Sequence, residues 1–170
     1  MNNTMRVILS AALIASLAAC TKKQEIKQPE PPVEPAKTET PAVVDDGKFG
    51  PEDLDSDSCL RQRVVYFDFD KAEIRAEAQA ILACHGKYLT DRPSAAITLE
   101  GHADERGTRE YNLGLGERRG NAVSSALQAN GGSASQLNVV SYGEERPTCS
   151  DSNEECWGKN RRVEIVYTAK

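Results

Sequence analysis

A permanent cation stands in the apolar stripe of the second helix this sequence predicts. Over residues 110–128 the spacing puts Leu115, Arg119, Ala122, Val123 and Ala126 on one face at i, i+3, i+4 intervals. A guanidinium does not shed its charge, so on a buried face it requires fixed acceptors. Asp104, in the Gly-rich loop ahead of the helix, is the nearest carboxylate. Two readings follow. One is an internal Asp104–Arg119 ion pair that pins loop to helix, as buried charges are usually paired. The other is a zwitterion receptor, with arginine for a carboxylate and aspartate for an ammonium.

From Cys59 onward the chain alternates between strand and helix patterns. VVYFDF at residues 64–69 and ITLEGH at 97–102 are β-branched and aromatic, and LNVVSY and RVEIVY repeat the pattern near the C-terminus. A first helix places Ile74, Ala78, Ile81, Leu82, His85 and Leu89 on one face and stops before Asp91-Arg92-Pro93. The second ends at Asn130-Gly131-Gly132, a left-handed cap and turn. The order β-α-β-α-β-β, with an insert between the last two strands, predicts an α+β (α/β two-layer) sandwich: a four-stranded mixed sheet covered by two main helices.

The N-terminus reads differently. Arg6 precedes an uncharged run over residues 7–19, too short for a membrane span of about 20 residues but suited to a signal sequence. It ends in Leu17-Ala18-Ala19-Cys20, which looks like a bacterial lipobox with Cys20 as the lipidated residue. Residues 1–19 are therefore expected to be removed. Thr21 in place of an Asp favours the outer membrane, by resemblance to enteric lipoproteins. More than one acyl chain gives stable anchoring without a span. Residues 20–58 hold six of the eight prolines among Lys, Glu and Asp, and are expected to form a disordered or polyproline-like tether. In polyproline form, at roughly 3.1 Å per residue, it reaches on the order of 100 Å. One domain, residues 59–170, remains.

Formal net charge is -5, with no basic stripe, which argues against nucleic acid as a partner. Cys59, Cys84, Cys149 and Cys156 are an even set in an exported domain, and four cysteines allow three pairings. Locality favours Cys149–Cys156, which leaves Cys59–Cys84. A zinc site is the alternative, but no CxxC spacing supports it.

GHADERGTREYN followed by LGERR, with VYFDFDKAEIR before it and VVSYGEERP and KNRRVEIVY after it, resembles the OmpA-like peptidoglycan-binding domain in its peptidoglycan-associated lipoprotein subgroup. The likeness spans nearly all of residues 64–167. It implies non-covalent binding of peptidoglycan through the diaminopimelate of the stem peptide, whose free end carries an ammonium and a carboxylate. Carried over by motif, Asp104 accepts from the ammonium, Arg119 grips the carboxylate, Leu115 lines the wall, and Phe69 with Asp70 closes the opposite side. The subgroup also implies a TolB-like periplasmic partner of the Tol system, so a protein-interaction scaffold is the alternative. The TCSDSNEECW loop departs from the subgroup's pattern.

Simpler roles compete for several of these residues. Phe69 and Leu115 are also core candidates, and Asp70 a helix N-cap before KAEIR. His102 and Glu105 flank Asp104 and invite a metal or a general base, yet too few ligands converge for a metal. His85 reads as core. Asn112, Arg118, Asn160 and Arg161 read as stitching between loop and helix. Paired carboxylates for glycan hydrolysis need a set separation that neighbours on one loop rarely achieve. The expectation is a non-enzymatic domain with no cofactor and no metal.

Overall fold

The computed structural model describes residues 47–170. The signal sequence, Cys20 and the tether as far as residue 46 lie outside the described residues. Within them, α1 is Asp53–Ser56, β1 Val64–Tyr66, α2 Ala76–Asp91, β2 Ala96–His102, α3 Arg109–Ala129, β3 Leu137–Gly143, α4 Glu154–Asn160 and β4 Arg162–Ala169. The four strands form one mixed sheet in the order β1-β4-β2-β3, parallel only between β2 and β3. This is the two-layer architecture the periodicities predict. No helix among the described residues is long and apolar enough to cross a membrane.

One face of the sheet is apolar by strict alternation. Val65 and Phe67, Ile97 and Leu99, and Val163 and Ile165 turn inward to meet Leu82, Tyr88 and Leu89 of α2 and Val123 and Leu127 of α3. The boundaries shift slightly from expectation. β1 ends at Tyr66, although the Phe67 N–H still donates to the Arg161 carbonyl at 2.9 Å, and Ile74 precedes α2. At the far end of α3, Gly131 adopts φ 101°, and the Gly132 and Gly131 N–H groups close back on Leu127 and Gln128. That double bond is the glycine stop expected there.

Residues 47–58 correct the tether boundary: they belong to the domain. Leu54, on α1, is fully buried, and Phe49 packs against the core with its ring 6.4 Å from that of Tyr88. These two apolar anchors, with the Phe49 N–H donating to Asp91 at 2.9 Å, hold a segment whose acidic, Pro- and Gly-containing composition otherwise reads as linker. His85 is core, with Nδ1 2.8 Å from the Tyr167 hydroxyl and Nε2 3.1 Å from the Gln62 carbonyl.

Both disulfides, Cys59–Cys84 and Cys149–Cys156, are formed. On the chain-entropy account, loops of these lengths contribute about 3.5 and about 2.5 kcal/mol respectively. The second closes the insert, which the sequence left without structure and which contains α4. Asn153 caps this helix, its side chain accepting from the Cys156 N–H at 2.9 Å.

Candidate functional site

A cavity of about 220 Å³ opens where the β1–α2 connection, the loop after β2 and the start of α3 converge. Phe69, Asp70, Asp104 and Leu115 line it, together with Arg106, Gly107, Tyr111 and Asn112. Four of the five predicted binding residues thus share one wall system.

Each arrives there for a local reason. Phe67 is the core aromatic, fully buried, so the next residue of that side-chain parity, Phe69, lies past the strand and is 53% exposed. Asp70 is no helix cap, because α2 is capped at Arg75; it is the one non-glycine residue with positive φ among those described, at 58°. Aspartate tolerates that conformation better than most residues, and the turn aims its carboxylate at the Tyr111 hydroxyl, which donates to it. That bond raises the Tyr111 phenol above its ordinary range. Leu115 follows Tyr111 by one helical turn and is buried in the wall. Thr108 starts α3 by accepting from the Tyr111 N–H at 3.2 Å. Asn112, buried, donates to the Asp104 carbonyl at 3.1 Å and so ties the loop to the helix.

Asp104 is buried, and its partners are arginines, though not Arg119. Arg106 meets it as a fork, Nε to Oδ1 at 3.0 Å and Nη2 to Oδ2 at 2.7 Å, and Arg161 adds Nη1 to Oδ2 at 3.3 Å. Burial pushes the carboxyl up, but the hydrogen bonds and charge of Arg106, with Arg161 behind, outweigh it and hold the group below its usual range. The guanidinium of Arg106 is stacked on both sides, 3.9 Å from the centroid of the Phe69 ring and 4.1 Å from that of Trp157. Trp157 is held in turn by its indole N–H, which donates to Glu105 at 3.0 Å.

Arg119 is a departure from expectation. It is fully buried but does not line the cavity. Nε donates to the Lys71 carbonyl at 2.8 Å, Nη1 to His102 at 2.7 Å and Nη2 to Asp68 at 3.1 Å. The first and third of these carbonyls flank Phe69 and Asp70, and the second stands two residues before Asp104. The permanent cation in the helix stripe therefore clamps both walls, and the acceptors its charge requires are backbone carbonyls. Burial lowers its pKa to about 10, with the charge of Asp104 opposing, so it remains cationic at neutral pH.

His102 lies on the sheet face away from the helices. Both ring nitrogens lack a hydrogen-bond partner, and burial, with the charge of Arg162 second, lowers its pKa to about 4. The three possible metal ligands that cluster among the described residues are Cys149, Asp151 and Cys156, and the two sulfur atoms are joined in a disulfide.

Sequence reasoning missed Arg106 and Tyr111. Arg106 follows Asp104 by two residues in a loop, a spacing that periodicity does not read. Tyr111 carried a usable signal, since it precedes Leu115 by four residues on a helix.

Residues 66–161 match the OmpA family. The chain is 37% identical to the peptidoglycan-associated lipoprotein of Haemophilus influenzae over 98% of its own length and all of the relative's. It is 45% identical to that of Pseudomonas aeruginosa over 66% of this chain and 67% of that one. The crystal structure of the peptidoglycan-associated lipoprotein from Burkholderia pseudomallei superposes with a TM-score of 0.66 at 43% identity, covering 68% of this chain and 98% of that one. By sequence and by fold, the chain belongs to the OmpA family and, within it, to the peptidoglycan-associated lipoproteins.

Proposed function

We propose that the cavity binds the diaminopimelate end of the peptidoglycan stem peptide, and that the chain, lipidated at Cys20 in the outer membrane, fastens that membrane to the cell wall without a covalent bond. The observation that carries this reading is a buried, ionised carboxylate, Asp104, on the wall of a cavity rimmed by exposed aromatic side chains. Asp104 accepts the ligand's ammonium. Leu115 supplies an apolar wall for the methylene chain, and Phe69 with Asp70 closes the other side. Arg119 holds these walls in register, and its charge, which no carboxylate neutralises by a hydrogen bond, draws the ligand's carboxylate end inward.

Family membership makes the chain a structural protein and not an enzyme. Holding a zwitterion by charge-assisted hydrogen bonds requires neither nucleophile nor general base. The test is co-sedimentation with purified sacculi. The parent is expected to pellet with the wall and to be released by free muropeptide, and Asp104→Ala to stay in the supernatant. Equal pelleting of both would overturn the assignment of the site.

A second role is favoured by the rim. Phe69 and Tyr111, 53% and 46% exposed, stand together at the mouth, the kind of aromatic surface that anchors a protein partner. A TolB-like periplasmic protein docking there would link the chain to the Tol system, in envelope integrity and cell division. Its binding would compete with muropeptide. Simultaneous binding of both would place the partner elsewhere.

A further inference from the structure

Asp104 has no acceptor to spare. Oδ1 takes the Arg106 backbone N–H at 3.1 Å and Arg106 Nε at 3.0 Å. Oδ2 takes Arg106 Nη2 at 2.7 Å and Arg161 Nη1 at 3.3 Å. A carboxylate offers about four lone-pair sites, and here all are used. An incoming ammonium reaches Asp104 only by displacing an arginine.

The two arginines are not equally free to leave. The side chain of Arg161 is 6% exposed, and it is held by Nε to the Phe67 carbonyl at 3.1 Å and by Nη2 to Glu154 at 2.6 Å. Arg106 is 30% exposed, stands on the cavity wall, and has two aromatic rings beside its guanidinium where Arg161 has a backbone carbonyl. Glu154 lies 3.6 Å from its Nη1, too far for a hydrogen bond. Once displaced, the guanidinium stays tethered beside the cavity as a cation whose remaining carboxylate, Glu154, is largely exposed and not hydrogen-bonded to it.

We propose that Arg106 is the residue that makes the cavity selective for a zwitterion. In the free protein its guanidinium stands in for the ligand's ammonium on Asp104. Binding is an exchange of ion pairs: the ligand ammonium takes Asp104, and the ligand carboxylate takes the released guanidinium. Ion pairs are conserved only when one ligand brings both charges. A lysine-type side chain brings the ammonium alone and leaves Arg106 with only the exposed Glu154 carboxylate, 3.6 Å away, in place of its buried partner, and the exchange of a close ion pair for a screened one is unfavourable. Arg119 acts on the ligand carboxylate only through its field and does not pair with it directly, because all three of its nitrogens donate to carbonyls and it does not line the cavity. The inference rests on the diaminopimelate reading above and supplies the source of its selectivity.

Trp157, the chain's single tryptophan, stacks on Arg106 and reports on the exchange. The full chain in detergent micelles is titrated by calorimetry with two tripeptides, L-alanyl-γ-D-glutamyl-meso-diaminopimelate and its lysine analogue, while Trp157 emission is followed. The parent is expected to prefer the diaminopimelate peptide by at least about tenfold, with a change in emission that saturates alongside binding. In Arg106→Ala the preference is expected to fall below about threefold, chiefly because the lysine peptide gains affinity once Asp104 is open. Trp157→Leu removes one ring of the sandwich without touching the cavity, and should also strengthen lysine-peptide binding by about threefold. A preference unchanged in both folded variants would overturn the exchange and leave the wall reading standing. Failure of the parent to bind the diaminopimelate peptide would overturn both.

Discussion

Gly101 on β2 and Gly116 on α3 touch backbone to backbone. A Cβ added at Gly101 would lie 2.0 Å from the Gly116 carbonyl oxygen. This contact brings the first turns of α3, which carry Tyr111, Asn112 and Leu115, against the strand that leads into Asp104. The two glycines thereby set how closely the helix approaches that strand.

Gly101→Ala therefore forces helix and strand apart, and the clash is with backbone that cannot rotate away. A loss of about 3 kcal/mol is expected from such overpacking, read as a lower urea midpoint. Gly114→Ala should do the reverse. Its new Cβ meets only the flexible end of Arg118, at 3.3 Å, so the gain in helix propensity of about 0.5–1 kcal/mol is retained.

Arg119→Met keeps the length of the side chain and removes its three donors. The carbonyls of Asp68, Lys71 and His102 then lose a partner each, at on the order of 3–5 kcal/mol in total. Thermal melting measures this loss. Arg119→Lys keeps the charge but not the fork, and is expected to recover less than half of the stability.

Stability should also fall with acid ahead of the carboxylates. His102 has a folded pKa of about 4 against an ordinary 6.5, so the unfolded state binds its proton more readily. Its contribution is complete above about pH 6.5 and is lost as pH falls to about 4, a loss on the order of 3 kcal/mol over that range. Arg162 and Arg146 oppose protonation and Glu164 favours it, so burial decides the direction. Urea midpoints of the parent and His102→Asn, compared from pH 7 to 4, should converge as pH drops. Parallel curves would contradict this origin.

The sequence made the two layers legible because periodicity reports which face each element buries. It made Asp104 legible as well, since a motif preserves residue types in order. What it could not show is which charge answers which. Arg119 looked like the partner of a carboxylate because acidic side chains are visible in a sequence, whereas the carbonyls it uses exist only once the β1–α2 turn and the end of β2 have met. Arg106 was hidden for the same reason, since its two aromatic neighbours are 37 and 51 positions away along the chain. The segment containing Phe49 and Leu54 was hidden by composition, because a pair of apolar residues among acids, Pro and Gly gives no period.

The most direct test is a calorimetric titration of the full chain with a diaminopimelate-containing muropeptide, beside Asp104→Asn checked for folding by circular dichroism. Saturable binding by the parent is expected, weakened at least about thirtyfold in the variant, as removal of a buried charge partner typically costs. Equal affinity in the two proteins, or no binding by the oxidised parent, would contradict the assignment of this cavity to the cell wall.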